Sequence, residues 1–507
     1  MTLKKSRLIF YSSFIFLIIF LKFIISFSTG LFEDEAIYWK WSQSIDPSYS
    51  LTTISTIAFF TKLFNSTTEF IIRLPVLLIN FIIVYVIFKT GVILNSGNEN
   101  IIITALTFLS IPFVTVYTSF ISPDSFLLLF GIISVYYLIL SVMYQERIYY
   151  ILSGLFTGLM ILSKYTAVVY LITVLASLFL INKKFTKNTM LLLLIAFLTS
   201  SPLMIWNLIN EPVWLKYYIL TDADKINSDP FDLFLSFLIS QLSILMPFAL
   251  LLIIILFYKI VRWNFVLPEI RFLKYLSIIL IVFFSIFSLT GKIKGNWFFM
   301  MYIPLMFLLL KIRRDNFTKI VISLTVIFNL LLLIFLNLPG DTLTRMSEGK
   351  ILSAVNYTYS YYWPDYRKNA NNDESWTDRI IKMKRWENAI GTLETKINNL
   401  EAKYDFIICD DFNLCPLLEY YFENKKQVSL LGDLRFRYIN SSEYKKELYG
   451  KDALLISVND SENLIKANFI NSELIEYIDI DLPGNRSKQF KIFMCREFSP
   501  ETNVLTN

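Results

Sequence analysis

The sequence predicts a polytopic α-helical membrane protein of about eleven spans, followed by a C-terminal extracytoplasmic α/β domain. Three observations carry that prediction. The 507 residues are 55% hydrophobic and only 17% charged, with a mean hydropathy of +0.54, well to the apolar side of soluble domains. Apolar blocks follow one another as far as Leu338, and beyond Gly340 the chain turns mixed and charged. Aromatic residues reach 17%, as expected where rings belt the membrane interfaces. The division implies a membrane domain over residues 1–340, with a first outer loop at 29–70, and a soluble domain over 341–507.

A span needs about 20 apolar residues, fewer inside a bundle. The segments that approach this length are 8–28, 71–88, 101–120, 125–143, 148–162, 167–181, 189–208, 233–257, 276–289, 297–310 and 320–336. Lys4, Lys5 and Arg7 before the first segment imitate a signal peptide. That apolar stretch is long and no small-residue cleavage site follows, so a retained helix is expected. The rest of the first outer loop, from Tyr38 to Phe64, has helical character and is expected to lie along the membrane surface.

Charge sets the orientation. With a cytoplasmic N-terminus, one set of connections carries Lys89, Arg147, Lys183, Lys184, Lys187, Lys259, Arg262, Arg271, Lys274, Lys311, Arg313, Arg314 and Lys319. The opposite set holds most of the acids, among them Glu33, Asp34, Glu35, Asp46, Glu69, Asp124, Glu211, Asp229 and Asp232. This is the positive-inside pattern, and it puts the C-terminal domain on the outer side. Cys409, Cys415 and Cys495 then lie in an oxidising compartment, where one disulfide with one free thiol, or three buried thiols, would both fit.

The chain contains no histidine. Ser-His-Asp catalysis, histidine-ligated zinc and imidazole proton shuttles are therefore excluded, and a general base must be a carboxylate, a lysine, a tyrosine or a metal-held water. Four short segments share the outer face: Phe32 to Trp39, Ser122-Pro123-Asp124-Ser125, Ser163-Lys164-Tyr165-Thr166, and Gly291-Lys292-Ile293-Lys294-Gly295-Asn296-Trp297. Acids in two loops and lysines in two others suit an anionic substrate whose reacting group needs a base. Each piece also has a plain structural reading. Three acids solvate a helix start, Ser122-Pro123-Asp124 makes a good helix N-terminus, and lysines snorkel to headgroups. Lysines on the translocated side run against the orientation bias, which favours a functional use. The pairs Asp222/Asp224 and Asp479/Asp481 have the spacing of nucleotide-sugar metal sites, a spacing that is frequent by chance.

Beyond Gly340, Ile390, Leu393, Ile397 and Leu400 recur at helical spacing within 386–403. Segments 404–409, 427–431, 453–458 and 490–494 read as strands, with a helix at 414–422 completing a right-handed βαβ unit. No Gly-rich phosphate loop follows a strand, so this domain is expected to cap the substrate or contact a partner. Tyr357 to Trp363 is expected to rest on the interface.

The chain resembles bacterial glycosyltransferase family 39-like enzymes of the GT-C superfamily, relatives of the protein O-mannosyltransferases and the lipid A aminoarabinose transferase. The matching stretches begin with Asp34-Glu35-Ala36-Ile37-Tyr38-Trp39-Lys40-Trp41-Ser42-Gln43, Glu69 to Pro75, and Ser122 to Ser125. They continue in Gly154 to Leu159, Ser163 to Ala167, Pro202 to Asn207, and Lys292 to Trp297. Outside the membrane they include Arg385-Trp386-Glu387, Asp410-Asp411-Phe412-Asn413-Leu414 and Tyr420-Tyr421. Family members usually carry Asp-His-Pro-Pro in the first outer loop, and this chain has Ser48-Tyr49-Ser50-Leu51 there.

The resemblance implies a GT-C fold in a bacterial plasma membrane and an inverting transfer from a polyprenyl-phosphate-linked sugar to a lipid, glycan or protein acceptor. The partners are then that donor, that acceptor and the bilayer, with no nucleic acid. In such a reaction Asp34 is the base, with Asp124 and Glu35 beside it in the catalytic set. Lys292, Lys294, Lys164 and Arg73 stabilise the donor phosphate, and Glu33, Tyr38, Trp39 and Trp297 line the loop and acceptor side. No cofactor is required, except a divalent cation that Glu33, Asp34 and Asp124 could share. The altered first loop leaves a changed substrate or lost activity open. The rival class is a lipid-linked glycan flippase or transporter, but no internal repeat is present and the ionisable residues sit at span ends.

Overall fold

The computed structural model describes residues 2–45, 49–209, 229–263, 265–289, 295–347, 376–400, 403–422, 428–430, 447–458, 465–482 and 486–499. The chain divides into two compact units, Met1–Phe27 with Pro47–Asn337, and Ser28–Asp46 with Leu338–Asn507. Residues 28–46, the start of the first outer loop, group with the C-terminal unit although they lie between apolar helices in sequence.

The first unit is helical throughout. In chain order its elements are α1 (Thr2–Ser28), then, past the short helix α2 (Glu33–Ser42) of the second unit, α3 (Leu51–Phe64), α4 (Glu69–Ile93) and α5 (Asn98–Leu109). They continue as α6 (Pro112–Tyr117), α7 (Pro123–Tyr144), α8 (Arg147–Ser163), α9 (Ala167–Asn182) and α10 (Lys187–Ile209). After these come α11 (Pro230–Arg262), α12 (Pro268–Phe287), a 3-10 helix (Gly295–Met301), α13 (Tyr302–Leu308) and α14 (Asn316–Asn337). Every predicted apolar segment is helical, yet among the described residues only 7 helices are long and apolar enough to cross a membrane. The expected span at 101–120 is broken between α5 and α6, because Pro112 has no N–H for the helical ladder. The expected span at 297–310 begins as a 3-10 helix. In α11 the ladder is interrupted at Met246 (φ 59°, ψ 167°), just before Pro247.

Several buried polar groups of this unit pair across helices, as an apolar surround favours. Lys22 is fully buried and donates to Asn80 Oδ1 at 3.0 Å and Thr118 Oγ1 at 2.8 Å, tying α1 to the bundle. Thr115 donates to Asn329 Oδ1 at 2.6 Å, joining α6 to α14.

The second unit contains α2, α15 (Gly340–Ser347), α16 (Trp376–Asn399), β1 (Phe406–Cys409), α17 (Leu414–Tyr421), β2 (Val428–Leu430), β3 (Ala453–Ser457), β4 (Phe469–Leu482) and β5 (Arg486–Phe498). The sheet order is β2-β1-β3-β5-β4. β1 pairs in parallel with both β2 and β3, and β5 runs antiparallel to β3 and to β4. β1 and β3 are buried along their whole length, as central parallel strands require. The core gathers Phe406, Ile408, Ala453, Leu455, Phe469 and Phe498. In α16 the predicted stripe Ile390, Leu393 and Ile397 is buried.

Sequence reading missed the strand β4 and the short helix α15. Residues 470–477 of β4 are exposed on both faces, so no alternation of apolar and polar residues marks it as a strand. Asp479 and Asp481 lie on β4, where Asp479 accepts from Gln489 Nε2 at 3.1 Å across the hairpin. Asp222 and Asp224, and the stretch from Tyr357 to Trp363, lie outside the described residues. Cys409 and Cys415 form a disulfide, while Cys495 is a buried free thiol that burial pushes up to about 12.

Candidate active site

In the membrane unit, three chain segments far apart in sequence meet at Asp124. Ser122 starts α7 in extended conformation, Pro123 takes the first helical position, and Ser125 Oγ accepts the Ser122 N–H at 3.2 Å. This puts the Asp124 carboxylate in the first turn, at the positive end of the helix. Lys164 follows directly on α8, its N–H donating to Met160 at 2.9 Å. Its ammonium donates to Asp124 Oδ1 at 2.7 Å. Asn296, on the 3-10 helix, donates its amide to Asp124 Oδ2 at 2.9 Å. Asp124 and Lys164 are 4% and 6% exposed, so this is a desolvated ion pair.

The 3-10 helix is itself held in place. Gln241 of α11 donates to the Gly295 carbonyl at 3.3 Å and accepts from the Tyr302 hydroxyl at 2.8 Å. A β-carbon at Gly295 would lie 2.5 Å from Ile244 Cδ1 and 2.9 Å from Ser240 Cβ, so a glycine is needed for this approach. Thr166 Oγ1, two residues beyond Lys164, is buried without a hydrogen-bond partner among the described residues. Chemically, the Asp124 carboxyl is held from one oxygen by an ammonium and from the other by an amide, with lone pairs remaining to accept from a hydroxyl.

Arg73 of α4 is fully buried, its guanidinium 5.1 Å from the centroid of the Phe120 ring. Trp297 is half-buried on the 3-10 helix. Lys292 and Lys294 lie outside the described residues.

In the second unit, the acids at 33–35 occupy the first turn of α2, and successive side chains of a helix point about 100° apart. Asp34 is exposed, Glu33 is half-buried and Glu35 is buried. Glu35 Oε2 accepts the Phe32 N–H at 3.0 Å, so this carboxylate caps its own helix. Tyr38 is half-buried, 5.8 Å from the Trp41 ring in an edge contact. Trp39 is buried, edge-on to Tyr420 at 4.9 Å, and its indole N–H has no partner among the described residues. No three carboxylate or thiol groups gather for a metal among the described residues.

Sequence reasoning quoted Asn296 only as part of a motif and did not single out Gln241, Tyr302 or Lys22. Lys22 overturns the expectation that the ionisable residues sit at span ends: it lies inside the first apolar segment, a signal the sequence already carried. Gln241 and Tyr302 carry no such signal, because a polar side chain in a long apolar helix announces no particular partner.

Residues 53–206 match the family model described as dolichyl-phosphate-mannose-protein mannosyltransferase, a stretch that includes Arg73, Asp124 and Lys164. No curated protein matches the sequence. Among solved structures, ArnT from Cupriavidus metallidurans bound to undecaprenyl phosphate superposes with a TM-score of 0.60 at 13% identity, over 98% of this chain and 99% of that one. The apo state of the same protein gives 0.60 at 14% identity, over 95% and 97%. The archaeal oligosaccharyltransferase AglB from Archaeoglobus fulgidus gives 0.46 at 10% identity, over 91% of this chain and 72% of that one, too loose a likeness to argue from. At such identities the likeness speaks for the fold. This chain has the GT-C membrane fold, and its residues 53–206 carry the dolichyl-phosphate-mannose-protein mannosyltransferase family match.

Proposed function

We propose that this protein is an inverting glycosyltransferase. It moves a sugar from a polyprenyl-phosphate donor to a lipid, glycan or protein acceptor at the outer face of a bacterial plasma membrane, with residues 341–507 extracytoplasmic. The observation that carries the reading is the buried junction of Asp124, Lys164 and Asn296, set in a chain of GT-C fold. ArnT holds undecaprenyl phosphate in its own structure, which supports a lipid-phosphate donor here.

In this reaction Asp34 accepts the proton of the acceptor hydroxyl as that oxygen attacks C1 of the sugar. The bond from C1 to the phosphate oxygen breaks, and the polyprenyl phosphate departs with the electron pair. Lys292, Lys294 and Arg73 stabilise the charge that grows there. Lys164, already engaged with Asp124, acts by keeping that carboxylate aimed, and Asp124 accepts from a substrate hydroxyl. A lipid-linked donor suits a site outside the cell, where nucleotide sugars are absent.

The test is incubation of the purified protein with defined polyprenyl-phosphate sugars, following release of free polyprenyl phosphate. Release that depends on an acceptor supports the reading. No release with any donor, together with movement of the intact lipid between leaflets in proteoliposomes, would make the protein a transporter.

A further inference from the structure

The helix that carries Asp34 is too short to set its own geometry. α2 has 10 residues, and isolated helices shorter than about 12 are marginal in water. Its position must come from what it packs against, and within its own unit that is α17.

Both ends of α2 are held. Ahead of its first turn, the Leu31 N–H donates to the Tyr421 hydroxyl at 2.7 Å. A β-carbon at Gly30 would stand 2.5 Å from that hydroxyl and 3.0 Å from the Met383 carbonyl, so a side chain here would push Tyr421 out of its contact. Toward its C-terminal end, Lys40 pairs with Glu419, and Trp39 meets Tyr420 edge-on. Three consecutive residues of α17 therefore grip α2 through a hydrogen bond, an aromatic contact and an ion pair.

α17 is well anchored in turn. The disulfide between Cys409 and Cys415 joins its first turn to the end of β1. Asp411 Oδ1 accepts the N–H groups of Asn413 at 3.0 Å and Leu414 at 2.9 Å, capping it. Leu417 and Leu418 are fully buried beneath it.

We propose that α17 is a positioning clamp that decides which of the three consecutive carboxylates of α2 is presented to substrate. A slip of one residue turns the helix by about 100°, which would put Glu33 or Glu35 where Asp34 now stands. Glu419 and Tyr421 are positioning residues that act through α2. The proposal rests on the reading of Asp34 as the base, and it gives the C-terminal unit a part in catalysis without a catalytic residue of its own.

The experiment uses the full-length protein with Glu419→Lys, Tyr421→Phe and the charge swap of Lys40→Glu with Glu419→Lys. Amide hydrogen exchange over residues 33–42 reads the clamp, and the pH dependence of kcat reads the base. Glu419→Lys is expected to speed exchange in α2, lower kcat about tenfold or more with KM for the lipid donor little changed, and move the acid limb of the kcat profile. The charge swap restores all of these, and Tyr421→Phe gives a smaller effect of the same kind. Unchanged exchange in both single variants overturns the clamp, and so does faster exchange with an unaltered kcat profile. Asp34→Asn run alongside separates the two readings. If it turns over like wild type, the base assignment alone fails, and a Glu419→Lys defect rescued by the swap still shows that α2 is positioned for another of its acids.

Discussion

The ammonium of Lys164 stands 2.7 Å from a carboxylate oxygen of Asp124, with the two side chains 7% and 6% exposed. An ion pair this far from water costs desolvation on both sides, and its mutual attraction offsets that cost only while both partners remain. Asn296 takes the second carboxylate oxygen, so the pair is also a hydrogen-bonded node joining α7, α8 and the 3-10 helix.

Removing one partner is therefore expected to be worse than removing both. Asp124→Asn or Lys164→Met leaves a buried group uncompensated and should cost about 3–5 kcal/mol of stability. The double change of Asp124→Leu with Lys164→Met should recover much of that stability while remaining inactive. Thermal unfolding in detergent, set beside turnover, checks both halves. Single variants that melt like wild type would show that the two residues are not coupled.

Lys292 and Lys294 are expected to separate function from snorkelling. A lysine that only reaches for water tolerates glutamine, whereas one that meets a departing phosphate must deliver a full charge. Lys292→Gln or Lys294→Gln should lower turnover at least about tenfold, roughly 1.4 kcal/mol, with little change in melting temperature. Arginine should rescue in part, its planar fork being larger and differently hydrated. Wild-type turnover in both glutamine variants would move the phosphate contact to Arg73.

Ser50 marks the altered first loop. It is buried, lies at φ 50° ahead of α3, and its hydroxyl is 2.6 Å from that of Thr53. Proline holds φ near −65°, so a proline of the family pattern cannot take this backbone. Ser50→Gly should change stability by less than about 1 kcal/mol, because glycine accepts positive φ and only the hydroxyl contact is lost. Ser50→Pro should cost about 3 kcal/mol or more. Denaturant titration of both variants measures the difference, and a tolerated proline would mean that the loop readily adopts the family conformation.

The stability of the C-terminal unit should fall in acid. Arg496 and the Glu497 N–H both contact Asp452, and the Arg496 guanidinium above all holds its carboxyl below the ordinary range. A carboxyl whose folded pKa is depressed stabilises the fold above its unfolded value, about 3.9, and that contribution is lost as pH falls through the folded value. The wild-type melting temperature should therefore drop more steeply on acidification than that of Asp452→Asn. Parallel slopes would show that the Arg496 contact carries no linkage. Both groups are partly exposed, so added salt should shrink the difference.

Helix positions in the membrane unit were legible in the sequence because the signal is local. A run of apolar residues satisfies its backbone within itself, so composition located the apolar helical segments, but neither the break ahead of Pro112 nor the 3-10 start at Gly295. The start of α7 was legible for the same reason, since Ser122, Pro123 and Asp124 cap the turn they begin. In the C-terminal unit, the buried strands β1 and β3 declared themselves by apolar runs, and α16 by its stripe of Ile390, Leu393 and Ile397. β4 did not, because an edge strand exposed on both faces carries no pattern for its pairing with β5.

The sequence by itself determined which residue types could do chemistry: without histidine, a general base had to be a carboxylate, a lysine, a tyrosine or a metal-held water. Only the tertiary structure decided which residues meet. Lys164 reaches Asp124 across 40 residues of chain and Asn296 reaches it across 172. The helix of Asp34 is gripped by α17, where the Leu31 N–H meets Tyr421 across 390 residues of chain. Such pairings are set by how helices pack and by which buried charges must be compensated. Those are properties of neighbours in space, and no local pattern of residues encodes them.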